Sequence, residues 1–327
     1  MNQISKGIAA HGTTVMLATG GTIAGRAARP DDHVDYVAGQ VPVADLLDAV
    51  PGLRDLPLEG EQVAQVDSKD MSLPVWQALV KRLEHHLARP EVGSAVIAHG
   101  TDTLEETAYL LHALLQPTKP VVLTCAMRPS TALMADGPQN LSDAVALARH
   151  PGACGVLVVC AGEVHTGLEV SKVHSYRLNA FDSGDAGALG LMEAGQLRLF
   201  RVFPEPAQST PVGALRLERF LSATALTRVA LLISHADADG DMVRALLAQP
   251  AEQPLRGLVV AGTGNGSVNQ LLEAALVEAQ AAGVRVVRTT RCARGTVLPR
   301  PGQALPEISG LSPVKARLAL ALELLAS

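Results

Sequence analysis

Short apolar runs without period-two alternation recur along the chain, at residues 13–18, 94–98, 121–125, 155–160, 229–234, 257–261 and 284–289. They are rich in valine, leucine and isoleucine, the pattern of strands covered on both faces, as in a parallel sheet. Helical patterns lie between them, at 73–87, 104–115, 141–148, 241–247 and 268–282. This alternation predicts an α/β fold: a larger N-terminal domain with a mostly parallel, doubly wound sheet, and a smaller C-terminal α/β domain. Prolines 204, 206 and 211, with Ser209 and Thr210, mark a break within 201–224. The expected division is 1–203, a linker at 204–223, and 224–327.

In open α/β sheets, ligands bind outside the carboxyl ends of the strands. Two of the apolar runs exit into threonine-rich turns. The first reads Thr19-Gly20-Gly21-Thr22-Ile23-Ala24-Gly25 and the second His99-Gly100-Thr101-Asp102-Thr103. On neighbouring strands they would bring two hydroxyls and a carboxylate to one point, an arrangement suited to acyl transfer by an assisted hydroxyl nucleophile. Each turn also has a plainer reading: glycines that allow a strand-to-helix bend, or threonine and aspartate as helix caps. The spacing of Gly20, Gly21 and Gly25 does not fit a dinucleotide fingerprint, and no Gly-Lys-Ser/Thr follows for a P-loop. Thr103 with Glu106 predicts a capping box, with the positive helix end aimed at Thr101.

Three further segments carry polar groups at strand exits. Asp67-Ser68-Lys69-Asp70 is either a solvated capping loop or a serine hydroxyl and backbone amides placed to hold a carboxylate. The long loop through Ala126, Arg128 and Asp136 follows the third run. Lys172 follows the fourth; from the residues alone it is a solvent-facing lysine.

The bulk properties exclude several classes. Lys and Arg number 27 against 32 Asp and Glu, a net charge of −5 with no like-charged block, so no basic patch serves nucleic acid or a membrane surface. Aromatics are 2% of the chain, too few for a base-stacking platform. No His, Cys, Asp or Glu cluster has metal-ligand spacing. Cys125, Cys154 and Cys160 read as buried free thiols, His85 and His86 as solvated, and His99 as packed or hydrogen-bonded at a strand end. Residues 1–13 do not resemble a signal peptide, which makes the cytoplasm the default location. A periplasmic one stands if an export signal has been removed.

Taken together, residues 19–25, 67–71, 99–110, 126–130 with 135–141, 170–172, 264–267 and 313–318 resemble the bacterial L-asparaginase family, in its type II-like branch. That resemblance implies deamidation of L-asparagine with no cofactor. Thr22 resembles the primary nucleophile, on a loop that closes over the substrate, and Tyr36 the tyrosine that helps activate it. Thr101, Asp102 and Lys172 resemble a second triad. Ser68 and Asp102 resemble the residues that hold the substrate α-carboxylate and α-ammonium; Gly21, Asp67, Lys69 and Gly100 line the same place. Ala126 resembles the residue whose carbonyl accepts from the scissile amide. The resemblance further implies a homotetramer built from intimate dimers, with Asn265 and Ser267 contributed to a neighbour's site. A glutaminase-asparaginase of broader specificity, or a non-catalytic amino-acid-binding protein, are the alternatives.

The chain departs from the family at Lys69, where a glutamine or another group compatible with ammonium is usual. The lysine would either repel the substrate ammonium or pair with Asp67 or Asp70. The segment 294–311 is shorter than in type II enzymes, leaving Glu307 as the candidate for the family's interface glutamate.

Overall fold

The computed structural model describes residues 12–204, 211–249, 254–308 and 310–326. The chain divides into two compact units, Met1–Thr210 and Pro211–Ser327.

The first unit runs β1 (Thr13–Gly20), β2 (Arg26–Ala27), β3 (Tyr36–Val37), α1 (Val43–Asp48), β4 (Leu58–Val66), α2 (Leu73–Leu87), β5 (Val92–Ala98), α3 (Leu104–Leu115), β6 (Val121–Thr124), α4 (Gly137–Ala148), β7 (Val156–Cys160), β8 (Glu163–Thr166), β9 (Ser171–Lys172), β10 (Phe181–Asp182), β11 (Gly190–Glu193) and β12 (Gln196–Leu199). An eight-stranded sheet has the order β12-β11-β8-β7-β6-β5-β1-β4. Strands β4, β1, β5, β6 and β7 are parallel. The remaining three pair antiparallel at one edge. Every residue of β6 and β7 is buried, which is why these strands carry no alternation.

Strands β4, β8, β11 and β12 are absent from the sequence expectations, for different reasons. β4 is an edge strand, and its outer residues are charged because ion pairs cover them. Glu59 pairs with Arg89 and Glu61 with Arg82 and His86. His86 is therefore buried in an ionic network, not solvated as expected from its charged helix. The β7–β8 and β11–β12 hairpins turn through Ala161-Gly162 and Ala194-Gly195, all at positive φ. Two-residue turns of this kind usually announce themselves as Asn-Gly or Asp-Gly; with alanine first, the signal is lost.

Helices α2 and α3 begin and end where the sequence pattern predicts. The predicted capping box at α3 is not formed. The Thr103 side chain does not cap the helix; its hydroxyl donates to the Ser68 carbonyl at 2.7 Å. Cys125, Cys154 and Cys160 are buried free thiols, as expected.

The second unit comprises α5 (Pro211–Ser222), β13 (Val229–Ile233), α6 (Asp241–Ala248), β14 (Gly257–Gly262), α7 (Gln270–Ala281), β15 (Arg285–Thr290) and α8 (Pro313–Ala326). Residues 211–222, read from the sequence as part of a linker, form the helix α5. The three strands are parallel, in the order β13-β14-β15. Leu258 and Val260 face Val243, Leu272 and Leu276, while Val259 faces Ala316 and Leu320. Alternate residues of β14 thus serve two helical layers. Among the described residues, no helix is long and apolar enough to cross a membrane.

Candidate active site

The parallel strands end level with one another. Ala18 is paired with Ala98, Ala98 with Thr124, and Thr124 with Val159. The turns after β1, β5 and β6 therefore emerge on the same edge of the sheet. Gly20 and Gly21 take φ of 110° and 78°, backbone that side-chain-bearing residues rarely adopt. A Cβ at Gly21 would overlap the Gly100 backbone; one at Gly100 would lie 2.5 Å from Ser68 Oγ and 3.0 Å from Gly21 Cα. Two bare glycines thus let the turns after β1, β5 and β4 touch, and these deliver the hydroxyls of Thr22, Thr101 and Ser68 in turn.

Thr22 opens a short 3-10 turn, Thr22–Ala24, and is buried. Its Oγ1 lies 2.6 Å from the Tyr36 hydroxyl. The two-stranded ribbon of β2 and β3 carries Tyr36, with Ala27 paired to Tyr36. The loop's return is tied down where Gly39 N donates to Gly21 O and Val41 N to Ala24 O. Ser130 braces it from the side, donating through both N and Oγ to Gly25 O. Burial pushes the Tyr36 phenol above its ordinary value, against the hydrogen bond with Thr22, and the charges of Asp67 and Asp102 push it the same way as burial. The two threonine constellations meet where Gly21 abuts Gly100.

The second constellation is compact. Lys172 Nζ donates to Thr101 Oγ1 at 2.8 Å and to Asp102 Oδ1 at 2.6 Å. Glu105, in the first turn of α3, holds the Lys172 backbone amide at 3.2 Å. Lys172 therefore reaches the site from β9, seventy residues away in sequence. The bend beneath Thr101 is fixed by His99. Its Nδ1 lies 2.7 Å from Gly100 O, and its Nε2 lies 2.9 Å from the Thr107 hydroxyl, which also accepts from Trp76 Nε1. Complete burial pushes the imidazole down to about 4. It is neutral at physiological pH, with Nδ1–H free to donate to Gly100 O and Nε2 to accept from Thr107.

Ser68 is buried and accepts the Asp102 amide at 3.1 Å. That amide, at the bend before α3, is therefore already engaged. Asp67 accepts from the Lys69 amide. The Lys69 ammonium pairs with Asp67 at 3.3 Å and Asp70 at 2.5 Å. Of the two alternatives for this residue, the pairing is the one observed. Ala126 is buried at the exit of β6, and the amides of Met127 and Arg128 are held by Asp136. Among the described residues, no group of three or more His, Cys, Asp or Glu side chains could hold a metal ion.

Residues 13–204 match the family model "Asparaginase, N-terminal", and residues 228–326 match "Glutaminase/Asparaginase C-terminal domain". The chain belongs to the L-asparaginase family. It is 35% identical to L-asparaginase 2 of Bacillus subtilis (strain 168) over 94% of this chain and 81% of the relative. It is 36% identical to the glutaminase-asparaginase of Acinetobacter glutaminasificans over 95% and 94% of the two chains. A probable cytoplasmic L-asparaginase from Campylobacter jejuni superposes with a TM-score of 0.86 at 36% identity, covering 96% of this chain and 95% of that one.

Within this asparaginase-family chain, the positions singled out by resemblance divide between the units. Gly21, Thr22, Tyr36, Asp67, Ser68, Lys69, Gly100, Thr101, Asp102, Ala126 and Lys172 belong to the first. Asn265 and Ser267 belong to the second, in the turn after β14. Asn265 clamps the segment at 298 through Leu298 N at 2.7 Å and Leu298 O at 3.1 Å. Arg288, buried on β15, donates to Asn265 O and Gly266 O. Glu307 lies 3.5 Å from the same guanidinium, so within its own unit it serves as that cation's counter-ion. Sequence reasoning gave no role to the supporting groups Glu105 and Thr107. Their place in the first turn of α3 was the available signal.

Proposed function

We propose that the protein is an amidohydrolase that converts L-asparagine to L-aspartate and ammonia through a threonine nucleophile. The observation that carries this reading is the meeting of two hydroxyl constellations at the Gly21–Gly100 contact. One hydroxyl is bonded to a phenol and the other to an ammonium. A threonine hydroxyl is a poor nucleophile until a neighbouring network takes its proton. Here the Thr22 oxygen adds to the carboxamide carbon while its proton passes to the Tyr36 oxygen, and the Tyr36 hydroxyl hands its own proton on to the carboxamide nitrogen. The C–N bond then breaks, giving ammonia and a β-aspartyl ester on Thr22. Water, with its proton drawn off through Thr101 and the Lys172–Asp102 pair, cleaves that ester. Aspartate and the free hydroxyl result. Ser68 and Asp102 hold the substrate α-carboxylate and α-ammonium.

Thr22→Ala should abolish ammonia release from L-asparagine while leaving the circular dichroism spectrum and melting temperature unchanged. Retained turnover would refute the role of Thr22. The Acinetobacter relative, named for both activities, supports a second reading with glutamine as an additional substrate. Comparison of kcat/KM for the two amides separates them.

Assembly as a homotetramer with Asn265 and Ser267 reaching a neighbour's site, and a cytoplasmic location like that ascribed to the Campylobacter relative, complete the proposal. Light scattering on the purified protein and cell fractionation test these two points.

A further inference from the structure

The Asp136 carboxylate is spent in an unusual place. It stands at the N-cap position of α4 yet does not cap the backbone amides of the helix. Instead it grips two consecutive amides of the turn after β6: Met127 N to Oδ2 at 2.9 Å and Arg128 N to Oδ1 at 3.0 Å. Asn140, one turn later on α4, completes the clamp. Its Nδ2 donates to Asp136 Oδ2 at 3.2 Å and to Cys125 O at 2.9 Å, and its Oδ1 accepts Ala161 N at 3.0 Å. Gly137 lets α4 come this close, since a Cβ there would meet Ile23 at 3.1 Å and Ala126 at 3.6 Å.

The Met127 N–H and the Ala126 C=O belong to one peptide unit. That unit is planar and trans, so its N–H and C=O point in opposite directions. Drawing the N–H toward Asp136 therefore turns the Ala126 carbonyl away from α4. An anionic acceptor on the N–H also polarises the unit and makes the carbonyl oxygen a stronger acceptor. Cys125 O held on one side and Arg128 N on the other further restrain this peptide.

We propose that Asp136, supported by Asn140, is a positioning residue that aims and polarises the Ala126 carbonyl toward the nitrogen of the scissile carboxamide. This rests on the amidohydrolase reading above and on the role that the family resemblance implies for the Ala126 carbonyl. The carbonyl helps only a substrate whose leaving group carries an N–H; it does nothing for an ester.

The test compares L-asparagine with the β-methyl ester of L-aspartate, from which methanol leaves in place of ammonia. Asp136→Asn keeps the shape but replaces one acceptor oxygen with a donor. Expected is a fall of about tenfold in kcat/KM for asparagine, the worth of one hydrogen bond, with the ester changed by less than about threefold. An equal fall for both substrates, or no fall for either, overturns the proposal. Asp136→Ser and Asp136→Glu give the same ratio if Asp136→Asn does not fold; failure of all three to fold also overturns it, by making the clamp a folding element. Absence of ammonia release by the unaltered protein would instead sink the amidohydrolase reading.

Discussion

The Tyr36 hydroxyl lies 2.6 Å from the Thr22 hydroxyl, fourteen positions apart in sequence and joined by a ribbon that folds back over the first strand exit. Removing the phenol oxygen should leave the threonine in place without its proton partner. Tyr36→Phe is expected to lower kcat for ammonia release by roughly a hundredfold or more, with a smaller change in KM and an unchanged melting temperature. A kcat within a few-fold of the unaltered protein would show that Tyr36 does not assist.

Lys172 bridges Thr101 and Asp102 with a single ammonium. Lys172→Met should cut kcat on the order of a hundredfold, since it deletes a positioned cation. Lys172→Arg should not rescue it. The planar guanidinium cannot occupy the point from which one nitrogen reaches both oxygens. Steady-state assays of both variants decide this; full activity of the arginine variant would contradict it.

Gly21 and Gly152 both have positive φ, but only Gly21 has another backbone in the way of a Cβ. Gly152→Ala should show conformational strain alone, about 1 kcal/mol. Gly21→Ala adds a clash with Gly100 and should lower the melting temperature several times further, with loss of turnover. Equal shifts for the two variants would mean that the glycine contact is not tight.

His99 links stability to pH. Its folded value is about 4 against an ordinary 6.5, so the unfolded chain binds the proton more readily between these values. Stability from this site is complete above pH 6.5 and is lost as pH falls toward 4, by on the order of 3 kcal/mol. His99→Gln, which can still donate to Gly100 O and accept from Thr107, should flatten that part of the profile. Urea midpoints measured from pH 7 to 4 would show it, and parallel profiles would exclude His99 as the source.

Lys69 is exposed and shared between Asp67 and Asp70. Its charge is largely offset before a substrate arrives, and solvent screens the remainder. Lys69→Gln is therefore expected to change KM for L-asparagine by less than about tenfold. A larger improvement in affinity would mean that the ammonium does reach the substrate.

Much of the fold was legible because buried parallel strands must be apolar throughout. The runs at 13–18, 94–98 and 121–125 mark β1, β5 and β6 to within two residues. What stayed hidden follows a physical rule. Edge strand β4 can be charged because Arg82 and Arg89 neutralise it, and the hydrogen bond to Glu61 buries a histidine, His86, that looks solvated in sequence. The Ala-Gly hairpins carry no distinctive turn residues. At the site, the threonine turns were visible because glycine and threonine cluster locally. Lys172 was indistinguishable from any surface lysine until resemblance singled it out.

By itself, the sequence determined the alternation of strand and helix and the chemistry at each strand exit, since both depend on residues close along the chain. Only the tertiary structure decided that Gly21 abuts Gly100, that Lys172 reaches Thr101, that Thr103 bonds to Ser68 instead of its own helix, and that Asp136 turns to the neighbouring loop. Each of these joins groups remote in sequence or chooses between competing hydrogen bonds, and packing settles such choices where local propensity does not.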